Sequence, residues 1–207
     1  MLRFFAICCI GLVTCGCAMV TSDKPLFTSG DAGAVALRHG LWTLPDDTCK
    51  YDPAQPVTKW PSCANGMVVS SKTMTGGFGK ADSPPQTLGY VLAAGDPVVV
   101  QLKGPPDAKP TDPAFIYAGL RPVRMDDTGR IVEAHVWLAL CFKPPLNANG
   151  KLKTPAPFPG LTMKQGDPFC RAADPAAVRN AVIKSEANAI QGDKLWLLAR
   201  WLRDGEK

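Results

Sequence analysis

FIYAGLRPVRM (residues 115–125), DDTG (126–129) and RIVEAHVWLALC (130–141) make up the stretch that decides the fold. Two runs rich in β-branched and aromatic residues flank a loop of turn formers, and Gly129 falls where the last loop residue needs a left-handed backbone. The spacing predicts an antiparallel hairpin. In its second arm the period of two puts Val132, Ala134, Val136, Leu138 and Leu140 on one side, the expected core face. Glu133, His135, Trp137 and Ala139 share the other, either the amphipathic outer side of a sheet or a wall covered by the C-terminal helix.

Working outward, Leu88–Ala94 and Pro97–Lys103 flank Gly95-Asp96, a second hairpin signal, and Leu41–Leu44 and Met67–Met74 read as shorter strands. Toward the C-terminus, Asp174 is placed to cap a helix and Pro175 to open it, since proline lacks the N–H that a first turn would leave unpaired. Val178, Ala181, Val182 and Ser185 then recur at helical spacing, which predicts a helix from Pro175 to about Ile190 that stops near Gly192. Leu195–Arg203 fits either a helix or a closing strand, and its position favours the strand. The expected class is α+β: a mostly antiparallel β-sheet, a meander able to curl into a barrel, with one C-terminal helix.

The chain has 207 residues, 46% hydrophobic and 20% charged, which suits one globular core and excludes a polytopic membrane protein. A formal net charge of +5, spread along the sequence, gives no footprint for nucleic acid.

The amino terminus departs from this average. Met1-Leu2-Arg3 is a short basic start, and Phe4–Val13 is an unbroken apolar run followed by small residues. At ~1.5 Å per residue that run makes roughly 15 Å of helix, half a bilayer core, so it reads as a signal peptide rather than a membrane span. Thr14-Cys15-Gly16-Cys17 resembles the lipobox of bacterial lipoproteins. The resemblance is confined to the leader. It implies that Cys17 becomes the acylated N-terminus, carrying fatty acyl chains such as palmitate, and that more than one chain gives a stable anchor. Ala18 in place of Asp after that cysteine implies the periplasmic face of an outer membrane. Cleavage after Ala18 would instead leave a soluble periplasmic protein. The expected organisation is a signal peptide over 1–16, a lipidated N-terminus and tether over 17–36, and one globular domain over 37–207.

Setting aside the leader and Cys17 leaves Cys49, Cys63, Cys141 and Cys170. An even count in an oxidising compartment suggests two disulfides. Cys49 with Cys63 and Cys141 with Cys170 is the favoured pairing, because each pair brackets a turn-rich segment. The competing four-thiolate zinc site lacks the short Cys-x-x-Cys pairs such sites use, and no cofactor or metal is expected.

His39 and His135 are the only histidines, so a multi-histidine metal site is excluded. No Gly-x-Ser-x-Gly, His-Glu-x-x-His or calcium loop is present. Gly76-Gly77-Phe78-Gly79-Lys80 lacks the first glycine and the Ser or Thr of a phosphate loop, and reads as a hairpin tip. Glu133, His135 and Trp137 are candidate binding residues on one strand face; a hydrolase using His135 with Glu133 would need a nucleophile that the sequence does not show. The proline-rich stretch between Cys141 and Cys170 carries Lys143, Lys151, Lys153 and Lys164, a modest basic surface suited to an anionic polymer or lipid headgroups. These readings predict a membrane-anchored envelope lipoprotein that acts as a non-enzymatic interaction or accessory module with an envelope partner. The alternative is a carrier or sensor of a small apolar ligand, held in a curled sheet near Tyr90, Tyr117 and Trp137.

Overall fold

A computed structural model describes residues 18–45, 48–77, 84–104, 113–142, 156–164, 167, 169–191 and 197–205. The strands are β1 (Met19–Ser22), β2 (Gly40–Thr43), β3 (Met67–Val69), β4 (Thr73–Gly76), β5 (Gln86–Ala93), β6 (Val98–Lys103), β7 (Phe115–Met125), β8 (Ile131–Leu138), β9 (Leu161–Met163), β10 (Phe169–Ala172) and β11 (Leu197–Arg203), with helix α1 (Pro175–Gln191) before the last. Strands β2 to β8 pair antiparallel in sequence order, and β11 closes the circle between β8 and β2, giving an eight-stranded barrel. The fold is thus mostly β, with the expected helix and closing strand both present.

Binary patterning explains the barrel wall. Val98 and Val100 of β6, Ala118 and Leu120 of β7, Ala134 of β8, Trp42 of β2, Leu92 of β5 and Ala199 of β11 meet in the interior. Alternate residues of the same strands, Val99, Tyr117 and Trp137, face outward and are just as buried, because α1 lies across them through Ala177, Val178, Ala181 and Val182. Covering both faces is why β6 reads as an unbroken Val98-Val99-Val100 run rather than an alternation. Asp174 accepts the Ala177 N–H at 2.8 Å, capping α1 as its position predicts. Ser185 of α1 accepts the Leu140 N–H at 2.8 Å, and the Trp137 indole donates to the Val182 carbonyl at 3.0 Å, so the helix is fastened to the end of β8 by polar contacts as well as packing.

At the tip of the β7–β8 hairpin Gly129 has φ 76°, and Asp126 accepts the backbone N–H groups of Thr128 and Arg130. Pro122 sits beside an irregularity in the β7–β8 register, where its missing N–H costs no ladder bond. On the expected core face of β8 Val132 and Ala134 are buried, as is Leu140 just beyond it, while Leu138 at the strand's end is 45% exposed; on the other face Trp137 and Ala139 are buried under α1. Of the two readings of that face, the wall covered by the C-terminal helix is the one found around Trp137 and Ala139.

The amino-terminal tether expected over 17–36 is in part a strand of the folded unit. Residues 18–22 are not a linker: Ala18, Val20, Thr21 and Ser22 are all at most 3% exposed. Strand β1 runs parallel to β10 and antiparallel to the start of β7, taking over where β8 ends. Its polar residues are satisfied inside the protein. Thr21 Oγ1 donates to the Cys170 carbonyl at 3.0 Å, and the Ser22 hydroxyl lies 2.6 Å from the Tyr117 hydroxyl. The globular unit therefore begins at least as early as Ala18, not near Leu37.

Both favoured disulfides are present. Cys49–Cys63 closes the segment that covers the outside of β2 and β3, where Leu41, Val57, Trp60 and Ala64 form a satellite core. Cys141–Cys170 fastens the end of β8 to β10. On loop-closure grounds these separations of 14 and 29 residues stabilise by about 3 and 3.6 kcal/mol. The proline-rich stretch between the second pair is less irregular than its composition suggests, since β9 pairs with β10. Among the described residues no helix is long and apolar enough to cross a membrane.

Candidate functional site: a cleft at the free edge of β5

Pairing between β4 and β5 covers Gln86–Gly89 and extends only to the Tyr90 N–H, which donates to the Lys72 carbonyl at 2.9 Å. Farther along, the Ala94 N–H donates to the Asp31 carbonyl at 2.8 Å. Alternate residues of an antiparallel strand point their backbone groups the same way. Leu92, midway between Tyr90 and Ala94, accordingly directs its N–H and C=O away from β6, to a side where β4 no longer runs. A cleft of about 710 Å3 opens there.

The cleft wraps around the strand edge. Tyr90 and Leu92 meet it from the barrel interior, together with Ala32, Val35 and Leu37. Gly89, Val91, Gln101, Lys103 and Phe115 meet it from the outer surface of β5, β6 and β7, and Pro25 and Phe27 form a roof. That roof is held by Gln101, buried to 3% exposure, whose side-chain oxygen accepts the Leu26 and Phe27 N–H groups at 2.8 and 3.0 Å while its amide donates to the Phe27 carbonyl at 3.0 Å. Four elements thus fix a largely apolar cavity, with His39, Ser71 and Lys72 at its rim.

Electrostatically the lining is one-sided. Among the described residues Lys72, Lys103 and His39 line the cleft, and no Asp or Glu does. Tyr90 donates its hydroxyl proton to the Ser70 carbonyl at 2.7 Å, and burial pushes its phenol up to about 12.

The residues singled out in the sequence lie elsewhere. Glu133 is bound to Arg200 at 2.9 Å and Arg124 at 3.4 Å, and these guanidiniums, Arg200 foremost, hold its carboxyl below the usual range despite some desolvation. Its carboxylate is thus engaged by two arginines, one on β7 and one on β11. Trp137 is a buried peg beneath α1. Tyr117 is fully buried on the same outer face, its phenol raised chiefly by desolvation and lowered in part by the Ser22 hydrogen bond. Of the three aromatic residues expected around a ligand, only Tyr90 reaches the cleft. Lys164 is exposed at the end of β9, while Lys143, Lys151, Lys153 and Cys17 lie outside the described residues. Among the described residues no group of three or more His, Cys, Asp or Glu side chains could hold a metal.

Gly89 was the available signal. A glycine inside a strand of otherwise large residues, QTLGYVLA, marks a place where something approaches the backbone closely. Fold and cleft together define a small closed β-barrel with a side opening. Compared with protein-family models, with characterised proteins and with solved structures, the chain matches none.

Proposed function

We propose that this protein is a membrane-anchored envelope lipoprotein whose barrel holds a small, largely apolar ligand in the β5 cleft without turning it over. The observation that carries the reading is the cleft itself. Its volume of about 710 Å3 falls in the ~300–1,000 Å3 range of small-molecule sites, and it combines an apolar wall with a few polar groups at the rim. Eight strands also make a barrel wide enough either to fill with side chains or to hold one small ligand.

The anchoring half rests on the resemblance of Thr14-Cys15-Gly16-Cys17 to a lipobox, and Ala18 supports it. Its carbonyl accepts the Cys141 N–H at 2.8 Å, and the residue is 2% exposed. A cut after Ala18 would remove that bond and leave a charged amine at the first residue of β1. Cleavage before Cys17 preserves both.

Native mass spectrometry of the full chain, gently extracted from membranes, tests the ligand reading. The expected result is a bound small molecule that is lost in Gly89→Leu. A Cβ at Gly89 would meet its nearest neighbours at 3.6 and 3.9 Å, ordinary contact distances, so this variant fills the cleft without forcing the backbone. A ligand-free wild-type spectrum, or an unchanged adduct in Gly89→Leu, overturns the reading. In the same preparation Cys17→Ser should leave the membrane fraction; retention there would overturn the anchor.

A further inference from the structure

We infer that the occupant of the β5 cleft is a single-chain amphiphile with an anionic head, its charge set between Lys72 and Lys103 and its tail along Val91, Leu92 and Leu37. The inference rests on the ligand-holding reading above and adds the chemistry of the ligand. Gly89 is the pivot. With no side chain there, the nearest atoms to an imagined Cβ are Lys103 Cβ at 3.6 Å and the Lys72 carbonyl at 3.9 Å. The Lys103 side chain and the Lys72 backbone thus border one bare patch of strand, and both lysines line the cleft.

Both lysine side chains are exposed, and neither takes part in an ion pair among the described residues. Acidic groups nearby are otherwise engaged: Asp31 caps Thr28, and Asp23 pairs with Arg171. Two uncompensated ammonium groups at one end of an apolar cavity favour a carboxylate or phosphate over a neutral head, because the pair gains charge-assisted hydrogen bonds without burying either partner fully. One chain fits better than two, since the volume is that of a single small-molecule site. Toward the interior the wall carries Val35, Leu37 and Leu92, and the polar Gln101 amide is occupied by Leu26 and Phe27, leaving the inner end apolar.

The test uses the full chain in isolated membranes and three probes with the same diazirine-bearing decyl tail, ending in a carboxylate, a phosphate monoester or an alcohol. Photolabelled peptides are then mapped. Either acid should label the stretches 35–39 and 89–92 about fivefold more than the alcohol, the ratio expected from two partly exposed ion pairs. The preference of one acid over the other identifies the head. Lys72→Ala/Lys103→Ala should bring the ratio near one, while Lys72→Arg/Lys103→Arg should keep it. Since both residues are exposed, unchanged thermal unfolding is expected; should the alanine pair not fold, the wild-type ratio alone decides. Equal labelling by acids and alcohol overturns the anionic head but leaves the ligand cleft standing. Absence of cleft labelling by all three overturns the cleft reading as well.

Discussion

Adding one methyl group at Gly119 tests whether Trp137 is a structural peg. A Cβ built there would lie 2.3 Å from Trp137 Cε2, 2.4 Å from Cζ2 and 2.6 Å from Nε1, far inside contact distance. The indole has little freedom to retreat, because it is 3% exposed and its N–H is fixed to the Val182 carbonyl of α1 at 3.0 Å. Overpacking of this kind costs about 1–3 kcal/mol, and loss of the buried hydrogen bond adds about 1 kcal/mol. At roughly 2–4 °C per kcal/mol for a domain of this size, Gly119→Ala should lower Tm by roughly 4–16 °C. Trp137→Ala alone should cost about 3–5 kcal/mol through its cavity. The combined variant should cost about 1–3 kcal/mol less than the sum, because the new methyl enters space that the indole has vacated. Thermal unfolding of the four proteins, followed by circular dichroism, reads all of this. A Gly119→Ala shift of less than about 2 °C, or strict additivity in the double variant, would refute the packing of α1 over β7 and β8.

Cys141→Ala/Cys170→Ala should lower stability by about 3.6 kcal/mol, visible as a drop in the urea midpoint; an unchanged midpoint would show that this link does not hold β10 to the barrel. Glu133 has a depressed folded-state pKa, so its contribution is present above the ordinary glutamate value of about 4.3 and is lost as pH falls through the lower folded value. Glu133→Gln should therefore lose less stability than wild type between about pH 5 and pH 3, and identical acid profiles would contradict the Arg200 and Arg124 contacts. Tyr90 is shifted the other way, to about 12. Its neutral phenol stabilises the fold fully below about pH 10, and that contribution is lost as pH rises through the folded value. The Tyr117 phenol is raised too, so alkaline ultraviolet titration should show late phenol titration from both, and Tyr90→Phe should remove one phenol's share of it.

The parts of the fold legible in the sequence are those governed by local chemistry. Gly129 with Asp126, the Asp174-Pro175 start of α1, and the even cysteine count each rest on interactions between residues close in the chain or on a compartment-wide rule. What the sequence concealed are contacts across long separations. Strand β1 looked like linker because Thr21 and Ser22 are small and polar, yet Thr21 is buried against Cys170, 149 positions away. Along β8 the period of two says that the faces differ and leaves open whether solvent or a helix covers the second one; only the long-range packing of α1 decides it. The cleft was hidden most completely. It exists because β4 stops pairing before β5 ends, a property of register that neither strand's sequence displays, and Gly89 alone hinted at it.

Strand β1 also joins the two halves of the proposed function. Under the proposed anchoring, the chain passes from Cys17 through β1 without a linker and reaches Pro25, at the cleft roof, in a span that even fully extended is under about 30 Å. The segment that would emerge from the lipid is thus the same one that Gln101 clamps over β6 to form the roof. A long tether would let the domain tumble at a distance from the bilayer, whereas this connection keeps the cleft within one domain diameter of it. For an apolar ligand that difference is substantial. Free diffusion through water exposes the whole tail, at a cost of about 25 cal/mol for each Å2 uncovered, while transfer near a membrane surface shortens the aqueous path. Under the proposed anchoring, burying β1 between β7 and β10 therefore suits exchange of cargo with the adjoining membrane rather than reach toward a distant partner.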